Sequence, residues 1–279
     1  MFDHVRDLEV ASLAAREAGA IVLAHYARGS VAVETKPDQS PVTAADRAAN
    51  EAILARLRAA FPDDAILSEE SPDSAHRLDT RRVWIVDPLD GTRDFIARTD
   101  EFCVHVGLAI DGRPVVGVVF QPVAAILYGA AVGAGAFQED TQGRRTRLQT
   151  SATVNPSDLR VGVSRTNAAH GLRRFLAETG LGRRSVSMGA SVKLMALARG
   201  DLDTVINLSS GEQEWDTCAP EIVIREAGGV FTDADGQPFV YNQPDVSHKR
   251  GSIASNGACH ASVLTLVQPY LDAGPEPPA

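Results

Sequence analysis

The chain has few cysteines, a shortage of positive charge and no apolar run of membrane-spanning character, and each shortage excludes a class of protein. Cys103, Cys218 and Cys259 are the only cysteines in 279 residues and form no CxxC spacing. That argues against a disulfide framework or a zinc knuckle, and a reducing cytoplasm is expected. Acidic side chains outnumber basic ones by 36 to 27, for a net charge of -9. A surface that coats a nucleic-acid polymer is usually basic, so phosphate, if it is handled at all, is handled locally and through a metal. The N-terminus, MFDHVRDLEV, carries acids where a secretory signal is basic, and no signal-like apolar stretch follows, so export is not expected. Residues 114–138 are free of charge, but Gln121, Pro122 and four glycines interrupt them. The halves VVGVVF and AAILYGAAV read as two buried strands joined by a QPV turn, and no stable membrane insertion is expected.

With 44% apolar and 23% charged residues, the chain is long enough for one large domain or two ordinary ones. Residues 2–27 space Val5, Leu8, Leu13, Ile21 and Val22 as an amphipathic helix. A short strand and a polar loop follow, then a helix over 44–61 stopped by Pro62, then the strand AILS ending in Glu69-Glu70. VWIVDPLD reads as a five-residue strand broken by Pro88, with a helix opening after Gly91-Thr92. CVHVGLAID, RPVVGVVF and AAILYGAAV read as antiparallel strands, with Asp111-Gly112 as the first hairpin turn. The polar segment 140–158 is the expected division between an N-terminal α+β half, residues 1–145, and a C-terminal α/β half, residues 146–279. Beyond it LRVGVS, DTVINL and VFTDADG read as strands. LRRFLAETG, ASVKLMALARG and residues 216–227 read as helices, and the tail GPEPPA as disordered. The class is layered α/β.

Carboxylates gather at the ends of apolar strands: Glu69 and Glu70 at one, Asp87 and Asp90 at another. Asp87 and Asp90 flank Pro88-Leu89, a spacing that suits a turn presenting two carboxylates and a backbone carbonyl to one point. Oxygen-only ligands select a hard ion, commonly Mg²⁺. Gly91-Thr92 at a helix start offers N–H groups to a phosphate beside that cation. A metal beside an anion pocket implies phosphoryl chemistry.

Four strings in this order, SPVTAAD (40–46), SEES (68–71), WIVDPLDGTRDF (84–95) and EWDTCAPEIVIREAGG (214–229), make the chain resemble the inositol monophosphatase superfamily of Mg²⁺-dependent, lithium-sensitive phosphatases, with an αβαβα sandwich. The resemblance implies that Glu69, Asp87 and the Leu89 carbonyl hold one Mg²⁺, and that Asp87, Asp90 and Asp216 hold a second. A third, weaker ion on Glu69 is common in the family. It further implies that Thr92, paired with Asp46, orients the attacking water while the Gly91 and Thr92 N–H groups receive the phosphate. Four converging carboxylates repel one another, so divalent ions should tighten the site.

Within the superfamily, VSRTN (163–167) and GASVKLMALARGDLD (189–203) resemble the CysQ-type 3'(2'),5'-bisphosphate nucleotidase branch. The resemblance implies substrate contacts from Ser164, Gly189, Ser191 and Lys193, with Lys193 answering a second phosphate. Asn167 stands where that branch often has histidine. Inositol phosphatases carry a glutamate seven residues before the last metal aspartate, where this chain has Ser209, and Glu212 and Glu214 are out of register. His105 reads as a core histidine, Lys36 as a loop lysine off the catalytic list, and Cys218 as unactivated. The expected partner is a small phosphorylated substrate, and both monomer and homodimer stay open. The alternatives are an inositol-1-monophosphatase, a broad sugar-phosphate phosphatase, or an inactive relative that binds nucleotide or metal.

Overall fold

The computed structural model describes residues 4–29, 32–36, 40–165 and 170–271; Asn167 and the C-terminal tail lie outside them. Helix α1 (Val5–Ala27) is followed by the antiparallel pair β1 (Val33–Thr35) and β2 (Pro41–Thr43). Helix α2 (Ala44–Ala60) begins where Thr43 accepts the Ala45 N–H and Asp46 reaches back to the Thr43 N–H, a reciprocal cap. Then β3 (Ala65–Ser68), β4 (Arg82–Asp90), the short α3 (Thr92–Ala97), and β5 (Cys103–Ile110), β6 (Arg113–Gln121), β7 (Ile126–Ala131), β8 (Gly135–Glu139) and β9 (Arg145–Arg147) build a seven-stranded sheet in simple order. It is antiparallel except for β3 beside β4.

The second sheet is smaller and mixed. It draws on β10 (Val161–Ser164), β11 (Ser185–Met188) beyond α4 (His170–Thr179), and β12 (Thr204–Asn207) beyond α5 (Val192–Ala198). The two-residue β13 (Glu212–Gln213) leads into α6 (Glu214–Glu226) and β14 (Val230–Asp233). After β15 (Ser247–His248), the partner of β13, come β16 (Ser252–Ser255) and α7 (His260–Val267). The five strands lie in the order β11-β10-β12-β16-β14.

Three apolar clusters stack these elements into α–β–α–β–α layers. One joins α1 and α2 to the outer face of the large sheet, a second fills the space between the sheets around α5 and α6, and a third packs α4 and α7 on the far side of the small sheet. Strand alternation sets the membership: Val205 and Ala254 face the middle cluster while Ile206 and Ile253 face the outer one, as a period of two requires. Helix α6 sits low on the large sheet because Gly107 and Gly117 are cross-strand partners beneath it. A Cβ at Gly117 would come 2.4 Å from the Ala219 carbonyl oxygen.

Several expectations are corrected. Val5 and Leu13 are more than half exposed, and α1 instead buries Ala11, Ala14, Ala15, Ala18 and Val22, since small side chains let it approach the sheet and α2 closely. β4 does not stop at Pro88; it runs to Asp90 with a shift of register between Asp87 and Asp90. Residues 114–138 hold all of β7, nearly all of β6 and most of a third strand, β8, because a tight turn with Gly133 and Gly135 at positive φ reverses the chain again. β2, β9, β11, β13, β15, β16 and α7 were not foreseen. No helix among the described residues is long and apolar enough to cross a membrane.

Candidate active site

The acids singled out in the sequence converge where β3, β4 and α6 end or begin. Ligand oxygens of Asp87, Asp90 and Asp216 all lie within 4.8 Å of one another. Glu69, at the end of β3, stands close enough to Asp87 to share a hydrogen bond. The register shift in β4 permits this: the Leu89 N–H folds back to Asp87 Oδ1 at 2.9 Å, so both aspartates of one strand reach the same side. Asp216 is carried by the first turn of α6, where one of its oxygens, Oδ2, accepts the Gln213 N–H at 2.7 Å.

Electrostatics mark this as a place that calls for a cation. Burial, then the neighbouring Glu69, Asp90 and Asp216, pushes the Asp87 carboxyl well above the ordinary range. Burial and Asp90 do the same to Asp216. Burial also raises Glu69, against the pull of Lys36. Asp90 is the exception: burial opposes its charge, but His105, Lys193 and the Ser191 side chain outweigh it and hold the carboxyl at about 2. An all-oxygen set with this much mutual repulsion fits a hard divalent ion held by Glu69, Asp87, Asp90, Asp216 and the Leu89 carbonyl.

Beside the acids, Thr92 Oγ1 lies 3.0 Å from Asp46 Oδ1 and 3.3 Å from the Leu89 carbonyl oxygen. Asp46 is buried, and its other oxygen, Oδ2, accepts from the Thr43 N–H at 2.8 Å and Thr43 Oγ1 at 2.6 Å. The two oxygens of Asp46 therefore serve different ends, Oδ2 capping α2 and Oδ1 meeting Thr92. Gly91 caps α3 at φ +92°, a left-handed turn that suits glycine.

Of the residues expected to border the substrate, Ser164 ends β10 while Gly189, Ser191 and Lys193 lie on the turn and helix that follow β11. Ser191 meets the site through its backbone: its N–H donates to Asp90 Oδ2 at 2.7 Å. Lys193 Nζ donates to the Ala190 carbonyl at 2.5 Å. Gly189 donates its N–H to Glu101 Oε2 at 2.5 Å. Ser164 ends β10 in register with Met188, next to Gly189.

Three neighbours escaped sequence reasoning. His105 is a core residue as expected, yet its Nε2 lies 3.2 Å from Asp90 Oδ2. The Trp215 carbonyl, 3.2 Å from Nδ1, can only accept, so Nδ1 carries the proton facing it. The Lys36 ammonium lies 2.7 Å from Glu69 Oε1 and also bonds Glu70 Oε1, which makes it a charge of the site rather than a solvated loop lysine. Glu212 is the third: its carboxylate bonds Ser252 and Asn207 and feels Lys193 and Asp90, while its buried Oε2 has no hydrogen-bond partner among the described residues. The cysteines are buried and unpaired, and burial pushes the Cys218 thiol well up, so it is not activated.

Residues 3–271 match the model of the inositol monophosphatase family. The 3'(2'),5'-bisphosphate nucleotidase CysQ of Escherichia coli is 36% identical over 84% of this chain and 92% of its own length. The histidinol-phosphatase of Mycobacterium tuberculosis is 34% identical over 93% of this chain and 96% of its own. The solved structure of CysQ from Bacteroides thetaiotaomicron superposes with a TM-score of 0.75 at 30% identity, covering 90% of this chain and 97% of that one.

Proposed function

The chain belongs to the inositol monophosphatase family, and from that premise we propose a cytoplasmic Mg²⁺-dependent phosphomonoesterase that removes the 3'(2')-phosphate of adenosine 3',5'-bisphosphate-type nucleotides. The observation that carries the reading is the convergence of Asp87, Asp90 and Asp216 within 4.8 Å, with the Thr92–Asp46 pair alongside. Glu69, Asp87, Asp90, Asp216 and the Leu89 carbonyl would hold two Mg²⁺ ions, with a third, weaker ion on Glu69. When bound, such ions offset phosphate charge, make a water acidic enough to attack and stabilise the leaving oxygen.

The protein's own groups do the positioning. The charged Asp46 takes the hydrogen bond from Thr92 Oγ1, which leaves the lone pairs of Oγ1 to accept a hydrogen bond from the attacking water and aim its oxygen; a proton leaving that water reaches Oγ1 only as the hydroxyl proton passes to Asp46. The N–H groups of Gly91 and Thr92 receive the phosphate, and Ser164, Gly189, Ser191 and Lys193 border the leaving group. On this reading residues 1–145 supply most of the metal ligands, and residues 146–279 supply specificity and the last aspartate. The unpaired, buried thiols support a reducing compartment.

One observation favours a second reading. Glu212 Oε2, near Lys193 and without a hydrogen-bond partner among the described residues, suits a leaving group with an ammonium or hydroxyl donor, as in the monophosphate of an amino alcohol, and the histidinol-phosphatase relative points the same way. A steady-state panel of adenosine 3',5'-bisphosphate, inositol 1-phosphate, fructose 1,6-bisphosphate and L-histidinol phosphate separates them. The bisphosphate nucleotide is expected to lead in kcat/KM by more than tenfold, and a tenfold lead by any other ester overturns the choice. Asp90→Asn should nearly abolish turnover and weaken metal binding; full Mg²⁺-dependent activity in that variant would refute the site.

A further inference from the structure

Arg165 directly follows β10, and its guanidinium spans two carboxylates of the metal-bearing half. Nη1 donates to Asp94 Oδ1 at 2.8 Å and Nη2 to Glu101 Oε2 at 2.6 Å. Asp94 lies on α3 two residues beyond Thr92, and Glu101 immediately precedes the approach to β5. Both acids also touch the turn 189–191. Glu101 Oε2 accepts the Gly189 N–H, and Gly189 lies so close to Asp94 that a Cβ there would come 2.5 Å from the carboxylate. The Arg165 N–H donates in turn to the Met188 carbonyl at 3.2 Å. Arginine, two acids and the turn thus close a ring.

The ring holds a turn that its own residues do not favour. Ala190 adopts φ +41°, a left-handed conformation that costs an alanine more than a glycine. Lys193 fixes its carbonyl from one side, and the backbone of Gly91 packs against its Cβ from the other. In this pose the next N–H, that of Ser191, meets Asp90 Oδ2. A planar guanidinium can serve two carboxylates at fixed angles where an ammonium serves as a single point of charge.

We propose that Arg165 is a positioning residue for the metal site: by clamping Asp94 and Glu101 it seats the turn 189–191, whose Ser191 N–H aims Asp90 at the cation. The inference rests on the reading of Asp90 as a metal ligand, and its test therefore reads metal binding directly. Mn²⁺ bound to the full chain without substrate is counted by electron paramagnetic resonance for the unmodified protein, Arg165→Met and Arg165→Lys. The Met variant should bind Mn²⁺ about tenfold more weakly, the lower end of what loss of a ligand-orienting group costs. Its KM for the best ester, measured at saturating metal, should stay within twofold. The Lys variant should recover part of the loss, to about threefold, because it keeps the charge and loses the fork.

Folded Arg165→Met with unaltered Mn²⁺ affinity overturns the proposal, and so does a raised KM with unaltered affinity, which would make Arg165 a substrate contact. If the Met variant does not fold, wild-type affinity in Arg165→Lys overturns it instead. An unmodified chain that binds Mn²⁺ but hydrolyses no ester of the panel fails the proposed reaction and leaves the clamp standing.

Discussion

Thr92 Oγ1 has one proton and two acceptors within reach, the Asp46 carboxylate at 3.0 Å and the Leu89 carbonyl at 3.3 Å. The carboxylate is the stronger acceptor when charged, and the Leu89 oxygen is needed elsewhere if it faces a cation. The hydroxyl therefore serves as an orienting group whose basicity comes from Asp46. Thr92→Val should lower kcat by about 10²- to 10³-fold, the lower part of the range for a positioned proton-transfer group, with Mn²⁺ affinity nearly intact, and Thr92→Ser should restore most of the loss. Steady-state rates at saturating metal check this; kcat within threefold of wild type in Thr92→Val would remove Thr92 from the mechanism. Glu69, Asp87, Asp90 and the Gly91-Thr92 helix start were legible from residue type and short spacing, whereas Asp46, Asp216 and the pairing of Asp46 with Thr92 came only from the family resemblance. Lys36 with Glu69, His105 with Asp90 and Arg165 with Asp94 were not legible. Their partners lie far along the chain or, for His105, depend on the β4–β5 register that pairs it with Asp87.

Two helices deliver site acids in the same way. Asp46 and Asp216 are each the third residue of a helix, α2 and α6, and each returns an oxygen to the N–H of the residue before the helix. The cap fixes the rotamer, so the start of the helix and the aim of the acid are one event. Thr43→Ala removes the side-chain half of the first cap and should cost about 1 kcal/mol. It also frees Asp46 Oδ2 from one of its two donors, so kcat should fall several-fold. Urea unfolding and turnover on the same sample check both; stability lost with full kcat would separate the cap from the catalytic role given to Asp46. The T-x-x-D spacing at 43–46 fits a capping box, but this helix was read from composition alone and its cap is seen only in the structure. The larger elements were legible because long helices and alternating hairpins carry a period over many residues. Among the short strands, β3, β10, β12 and β14 stood out by apolar or β-branched runs, whereas β11 (SVSM) and β16 (SIAS) are interrupted or flanked by serine and β13 (EQ) is polar throughout, and α7 follows its N-cap Cys259 without a side-chain cap. The face of α1 was misjudged for another reason: hydrophobic size was followed where close approach selected alanine.

At the scale of the whole molecule, the middle layer joins the two sheets and meets water at its margin. His248 lies at that margin, its ring 4.2 Å from Phe239 and its Nε2 2.8 Å from Thr217 Oγ1 on α6. Burial lowers its imidazole from the ordinary 6.5 to about 4. Above pH 6.5 the ring is neutral folded or unfolded, and its contribution is fully present. Between pH 6.5 and about 4 the unfolded chain takes a proton that the folded ring refuses, so stability falls as pH falls, by up to ~3 kcal/mol for a shift of this size. His248→Gln cannot take that proton in either state. It should be less stable than wild type at pH 7 by about 1 kcal/mol, for the lost Thr217 contact. The gap should close or reverse by pH 4.5, since every other group is shared by the two proteins. Urea unfolding of both at pH 7, 5.5 and 4.5 measures the gap, and parallel curves would show that His248 takes up a proton in the folded state as readily as in the unfolded chain.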